Sequence, residues 1–279
     1  MLQIKRLVDI EEIRATQQIE EKVWKMPVIP IHQTYTASKN GGMILGAYDN
    51  DELVGYQYSF PGFKNGKAYL CSHMLGVLPT YQKGGLGEKL KAAQKEWALE
   101  MGYSLIVWTY DPLESVNAYL NLHKLKGIAA SYLENHYGMM EDPLNKGIPT
   151  DRFLVEWWIR SDHIQGEQKN DEVQSYEPLI ETELNKRQFP IISSEIEPIK
   201  NKKKDIILIP IPENFQQMKQ QQPSLALDWR YKTRKWFQEL CLNDYVAVDV
   251  KRNSKEKVSY YVFRKRNSLS LVGNEEGKL

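Results

Sequence analysis

The residues whose types and spacing bear most directly on chemistry lie in Val77-Leu78-Pro79-Thr80-Tyr81-Gln82-Lys83-Gly84-Gly85-Leu86-Gly87. Glycines that open a helix leave backbone N–H groups unpaired at the positive end of the helix dipole. Such a turn can cradle a pyrophosphate. A nucleotide P-loop ends in Gly-Lys-Ser/Thr, whereas here Gly87 is followed by Glu88 and Lys89. The dinucleotide fingerprint Gly-x-Gly-x-x-Gly is also absent. What remains is Gln82-x-x-Gly85-x-Gly87, against the plain alternative of a glycine-rich strand–helix turn. Upstream, His73 stands four residues before Val77, a spacing that puts both on one face of a regular strand. A neutral imidazole, with an ordinary pKa of about 6.5, suits a base at neutral pH. The alternative for His73 is a core histidine satisfied by a backbone carbonyl. The five histidines of the chain show no metal-ligand spacing, so no metal is expected.

Several elements must position these residues. Ala68 to Val77 is apolar and β-branched enough for a buried strand, closed by Pro79. Leu86, Leu90, Ala93, Trp97 and Met101 recur at spacings of three and four, which predicts one apolar helix face, and Gly102 sits at its C-cap. Before them come a strand from Leu2 to Val8, a helix capped by Asp9-x-x-Glu12 and reaching about Trp24, and a second helix from Pro30 to Gly41-Gly42. Strands over Met43 to Tyr48 and Leu53 to Phe60 follow, and Asn65-Gly66 is a sharp hairpin signal. After them, Tyr103 to Thr109 is a buried strand reached by a helical crossover, hence parallel to the strand before it. Leu113 to Leu125 is an expected helix, Ile128 to Tyr137 is irregular or strand-like, and Arg152 to Ile159 is a last strand.

The chain has 279 residues and a formal net charge of +1. That length allows one large domain or two small ones, and the near-neutral balance gives no support for nucleic-acid binding. Basic runs at Lys200 to Lys204 and Arg264 to Arg266 fit solvated linker or edge-strand charge. Two cysteines, Cys71 and Cys241, make no disulfide framework, and Cys71 in its apolar strand fits a small core residue. The start lacks the apolar run of a signal peptide, and no stretch is long enough to span a membrane. A cytoplasmic protein without membrane partners is expected, as monomer or homodimer. Ser161 to Pro178 is polar and is expected to be a linker. Beyond it, strands at Asp205 to Pro210, Tyr245 to Val250 and Val258 to Phe263 surround a helix from Pro223 to about Leu240.

The pattern Val77-x-Pro79-x-x-Gln82-x-x-Gly85-x-Gly87 resembles the coenzyme A pyrophosphate loop of the GNAT acyltransferase superfamily. The element order over residues 1 to 160 is similar to that family throughout. A narrower resemblance, to a bacterial subfamily of GNAT acetyltransferases, is carried by Ser72-His73-Met74-Leu75-Gly76-Val77-x-Pro79, Trp108-Thr109-x-Asp111-Pro112-Leu113-x-Ser115-x-Asn117-Ala118, Tyr137-Gly138 and Pro149-x-Asp151-Arg152. The chain departs from it at Lys124-Leu125-Lys126-Gly127, where relatives tend to read Lys-Leu-Gly.

The resemblance implies an α/β fold with a mixed, mostly antiparallel central sheet flanked by helices. It implies an acyltransferase domain over 1–160; the polar stretch that follows gives an expected linker over 161–180, and the strands and helix beyond it a C-terminal α+β subdomain over 181–279. The subdomain is either a degenerate GNAT-like half or an unrelated appendage. It further implies acetyl-CoA, or another short acyl-CoA, as donor and a primary amine of a small molecule or amino acid as acceptor. Succinyl transfer to amino acids and non-catalytic CoA binding are the alternatives. By analogy, main-chain groups near Leu75 and Val77 would hold the pantetheine arm. The backbone N–H groups of Gln82, Lys83, Gly84, Gly85, Leu86 and Gly87 would hold the pyrophosphate, with side-chain contacts from Gln82 and Lys83. Asn117 would flank the pantetheine. His73 matches the position of a proton-relay histidine in the aryl-alkylamine branch, and Tyr137 is the candidate general acid. Acceptor pockets in the family are built by variable loops and the first two helices.

Overall fold

The structure is a computed structural model that describes residues 1–140, 142, 145–165, 178, 180–193 and 205–271. Most of the expected linker, and the basic run at Lys200 to Lys204, lie outside the described residues. The chain forms two compact units: Met1–Trp108 with Trp158–Arg160, and Thr109–Trp157 with Ser161–Val272. The units therefore do not divide at residue 160, where the sequence pattern places a domain end.

The first unit starts with β1 (Leu2–Arg6), α1 (Ile10–Trp24) and α2 (Ile31–Lys39). The Asp9 side chain accepts the Glu11 N–H at 2.8 Å and so caps α1 as its sequence indicates. Strands β2 (Met43–Asp49), β3 (Glu52–Lys64) and β4 (Lys67–Val77) follow as an antiparallel meander. Asn65 (φ 51°) and Gly66 (φ 78°) both take left-handed backbone in the β3–β4 hairpin, the conformation an Asn-Gly turn favours. A 3₁₀ turn (Pro79–Gly84) leads into α3 (Leu86–Glu100) and then β5 (Leu105–Tyr110), which lies parallel to β4.

The two faces of this sheet can be told apart by their neighbours. Tyr56 of β3 faces α1, where the Trp24 ring stands edge-on to it at 6.2 Å. Ser59 of β3 faces α3, where it accepts the Gln94 carboxamide N–H at 2.6 Å. The buried stripe of α3 is Leu86, Leu90, Lys91, Gln94 and Ala98. It thus includes two polar residues, and Ala93, Trp97 and Met101 of the expected apolar face are only half-buried.

In the second unit the expected helix over Leu113 to Leu125 is divided. A short α4 (Ser115–Ala118) passes into a π-helical segment (Tyr119–Lys124), in which the Leu125 N–H reaches back five residues to the Leu120 carbonyl at 3.0 Å. The wider turn takes up one extra residue. Lys126 then sits in left-handed backbone (φ 59°) where the family pattern has glycine. A side chain on Gly127 would come within 2.8 Å of Val155.

The sheet of this unit runs β7 (Arg152–Trp158), β6 (Ile128–Leu133), β11 (Tyr245–Asn253), β12 (Val258–Lys265) and β10 (Ile206–Pro212). The small helix α5 (Asp162–Gln165), a hairpin of β8 (Thr182–Leu184) and β9 (Pro190–Ile192), and helices α6 (Phe215–Gln221) and α7 (Pro223–Leu242) complete it. Ala247 of β11 pairs with Ala129 of β6. Phe237 of α7 packs 4.8 Å from Phe153 of β7 and 5.5 Å from Tyr261 of β12. The C-terminal strands therefore share one core with residues 109–157.

Candidate active site

In the first unit the glycine turn is built as its sequence demands. Gly85 has φ 71° and ψ 15°, left-handed backbone that costs glycine little, and it stands at the N-cap of α3 with no side chain capping the helix. The first helical hydrogen bond runs from the Lys89 N–H to the Gly85 carbonyl at 3.1 Å. The N–H groups of Leu86 and Gly87 precede it, as the first donors of any helix do. A Cβ on Gly84 or Gly85 would meet nothing within 4 Å, so the surface above the turn is open. Gln82 and Lys83 are exposed beside it, and the Gln82 side chain donates to the Val77 carbonyl at 3.1 Å.

β4 leads straight to this turn. On one edge it pairs with β3 as far as Val77↔Gly55. On the other it pairs with β5 only at Leu70↔Ile106 and Cys71↔Val107. The pairing does not continue to Ser72 and Trp108, so the two strands fork there. Leu75 and Val77 lie beyond the fork, with main-chain groups on an edge that β5 does not cover. Two parallel strands that part in this way leave a slot whose wall offers amide donors and acceptors, which suits an extended, amide-bearing arm.

His73 is a correction to the spacing argument. Tyr58 pairs with Met74 but Ser59 pairs with Ser72, so His73 is the extra residue of a β-bulge. One inserted residue breaks the count by two that would put His73 and Val77 on one face. Val77 lies on the α3 face, where a Cβ on Gly55 would meet both Val77 and Leu86 at 3.4 Å. The His73 ring instead stands against Tyr58 at 6.1 Å and Phe60 at 5.6 Å, on the face that α1 covers. The residue keeps an exposed surface, yet enough atoms surround the ring that desolvation lowers its pKa below the ordinary histidine value. It is therefore neutral over more of the acidic range than a free imidazole.

Between β3, β4 and α3 lies a buried polar cluster that periodicity alone did not reveal. Lys91 donates to the Ser72 hydroxyl at 2.7 Å and stands 3.6 Å from the centroid of the Trp108 ring. Gln57 bridges Ser59 (2.5 Å) and Ser72 (3.3 Å). Burial lowers the Lys91 pKa well below that of a free lysine. A signal for Gln94 was present: steps of four from Leu86 and Leu90 arrive at Gln94 and Ala98.

Asn117 and Tyr137 belong to the second unit. Asn117 is exposed on α4. The Tyr137 hydroxyl shares a hydrogen bond with the Thr109 hydroxyl at 3.0 Å, its N–H donates to Thr150 Oγ1 at 3.0 Å, and the Arg152 guanidinium lies 5.3 Å from its ring. The motif carboxylates here anchor arginines of α7. Arg230, fully buried, donates to Asp111 at 2.5 Å, and Arg234 donates to Asp151 at 2.8 and 2.9 Å. His123 is held by Asp249 at 2.8 Å and stacks on Tyr119 at 4.4 Å. Among the described residues no group of His, Cys, Asp or Glu could hold a metal ion, and no helix is long and apolar enough to cross a membrane.

Residues 7–124 match the model of the acetyltransferase (GNAT) family. No curated protein matches the sequence. Among solved structures, the chain is similar to the ribosomal-protein-S18-alanine N-acetyltransferase of Escherichia coli (15% identity, 61% of this chain and 98% of that one, TM-score 0.47). It is also similar to a GNAT family acetyltransferase from Elizabethkingia anophelis with acetyl-CoA bound (18%, 56% and 97%, 0.44). A third is Arabidopsis thaliana Naa50 in complex with the bisubstrate analogue CoA-Ac-MVNAL (18%, 56% and 97%, 0.44).

Proposed function

We propose, from the match of residues 7–124 to the acetyltransferase (GNAT) family model, that this protein transfers an acyl group, acetyl in the first instance, from acyl-CoA to the primary amine of a small molecule or amino acid. One observation carries the reading: the edge of β4 that β5 leaves uncovered runs directly into an open glycine turn at the start of α3. The edge supplies main-chain partners for the amides of pantetheine near Leu75 and Val77. The turn, from Gln82 to Gly87, supplies N–H groups for the pyrophosphate; the resemblance to the family is what names Asn117 as a residue for the pantetheine arm.

In the reaction the neutral amine nitrogen attacks the thioester carbonyl. An N–C bond forms, and the negative charge on the tetrahedral oxygen is stabilised by a main-chain N–H of β4. The nitrogen then loses a proton to His73, directly or through water. Two features support this role for His73: its ring is biased toward the neutral form, and it stands on the α1 side of the sheet, where the family builds its acceptor pocket. Collapse of the intermediate breaks the C–S bond, and the leaving thiolate takes a proton; the resemblance to the family is what names Tyr137 as the candidate acid.

The test is turnover. Thiol release from acetyl-CoA is followed across a panel of amino acids and small amines, then repeated with succinyl-CoA. Amine-dependent release supports the reading. CoA binding without release from any amine refutes the enzyme assignment and leaves a CoA-binding protein.

A further inference from the structure

We propose that Lys91 is a positioning residue of the donor site: its amine spans the fork between β4 and β5 and sets the width of the slot that receives the pantetheine arm. This rests on the donor-site reading above. The last paired residues are Cys71 and Val107. The next residue on each strand, Ser72 and Trp108, is the one that Lys91 touches, at 2.7 Å to the Ser72 hydroxyl and 3.6 Å to the centre of the Trp108 ring. A single side chain from α3 therefore touches both strands at the residues just beyond their last pair.

The residue type is unexpected for that place. Lys91 is buried with only 2% of its surface exposed. Among the described residues no carboxylate acts on it, and the titratable group that does is the Cys71 thiol, itself pushed up to about 11 by burial. A lysine buried without a counter-ion is a stability cost, since desolvation disfavours the charged form and leaves an amine to be satisfied. The surroundings are arranged to hold it nonetheless. Ser72 is fixed by Gln57, Gln57 also bonds Ser59, and Gln94 bonds Ser59 from the next turn of the helix that carries Lys91. The network thus ties the wedge to β3, β4 and α3 together. An apolar side chain of equal length would pack in the same volume but would not hold Ser72 and Trp108 at a fixed separation.

The experiment compares wild type with Lys91→Met by calorimetric titration with acetyl-CoA, steady-state kinetics and thermal melting. The expected result for Lys91→Met is a donor KM raised about tenfold, with kcat and acceptor KM within about twofold, the pattern of lost ground-state positioning. The melting temperature should be equal or higher, because the desolvation cost of a buried amine that no carboxylate offsets has been removed. Weaker donor binding in a more stable protein is an outcome that a merely structural lysine does not produce. Ser72→Ala, which removes the β4 anchor and leaves Lys91 in place, should raise donor KM in the same direction and serves if Lys91→Met does not fold. If wild type binds acetyl-CoA and the variants bind it equally well, the positioning role is overturned while the donor site stands. If wild type itself does not bind acetyl-CoA, the donor-site reading falls and this inference with it.

Discussion

Gly85→Asp and Gly85→Asn form a matched pair that isolates the charge of whatever occupies the glycine turn. Both substitutions face the same backbone, φ 71° and ψ 15°, and a Cβ at this position meets no atom within 4 Å. Their stability cost is therefore strain alone, at most about 1 kcal/mol because Asn and Asp visit left-handed backbone more readily than other side chains. A loss of that size lowers the melting temperature of a chain this long by about 2–4 °C, equally for both. In size the two side chains are nearly identical, so any difference in ligand affinity is electrostatic. A carboxylate about 5 Å from a pyrophosphate, at an effective dielectric of about 40, is repelled by about 1.5 kcal/mol per phosphate charge. Two charges give about 3 kcal/mol, which salt at this exposed loop reduces to a net discrimination of about tenfold to a hundredfold. Calorimetric titration with CoA at low and at high salt reads this directly. The Asp variant should bind at least tenfold more weakly than the Asn variant at low salt, and the gap should narrow as salt rises. Equal dissociation constants for the two variants at low salt would refute the assignment of this turn to a pyrophosphate.

Three further outcomes follow from particular contacts. His73→Gln should lower kcat by about a hundredfold with donor affinity unchanged. In wild type, desolvation keeps the ring neutral below its usual pKa, so the acidic limb of kcat should lie below about pH 6.5, activity falling as pH drops through the lowered value; an unchanged limb in the variant makes His73 structural. Asp111→Asn strips the fully buried Arg230 of its carboxylate hydrogen bond and should cost about 3–5 kcal/mol in urea unfolding, most of it recovered when Arg230→Met is added. A chain cut after Ile159 loses β11, the strand that covers the outer edge of β6, and the helix that anchors Asp111 and Asp151, so its NMR spectrum should lack the dispersion of a folded protein.

The parts of the molecule that local rules govern were legible in the sequence. The capped start of α1, the Asn65-Gly66 hairpin and the glycine turn before α3 each depend on a few adjacent residues whose backbone preferences are strong. The strands and helices of residues 1 to 110 emerged in order for the same reason. The divided helix after Ser115 was legible only as an anomaly. Relative to the family, Lys124-Leu125-Lys126-Gly127 carries one residue more, and the fold absorbs it as a π turn that ends with Lys126 in left-handed backbone. Domain limits were the least legible, because they depend on which distant strands pair. Nothing local in Ala129 or Ala247 announces that they are cross-strand partners.

The candidate site shows where periodicity arguments fail, and the failures share a cause. Counting in twos puts His73 on the wrong face, and a purely apolar stripe omits Lys91 and Gln94 from the buried face of α3. A bulge changes the count without changing the composition of the strand, so the pattern His73-Met74-Leu75-Gly76-Val77 looks regular while its geometry is not. The buried face of α3 is set by the Leu86–Leu90–Gln94–Ala98 stripe, and polar residues enter it because Ser59, Ser72 and Gln57 on the facing strands provide partners. The two departures meet at β4 beside the fork: His73 is the bulged residue of the strand, and Lys91 of α3 bonds Ser72 next to it. An irregular strand beside a buried polar cluster is locally unfavourable, and sequences retain such conflicts chiefly where a site requires them. That the conflicts gather around Ser72 and His73, between an open glycine turn and the last β4–β5 pair, is an argument for this stretch as the reacting end of the donor slot that uses no comparison with any other protein.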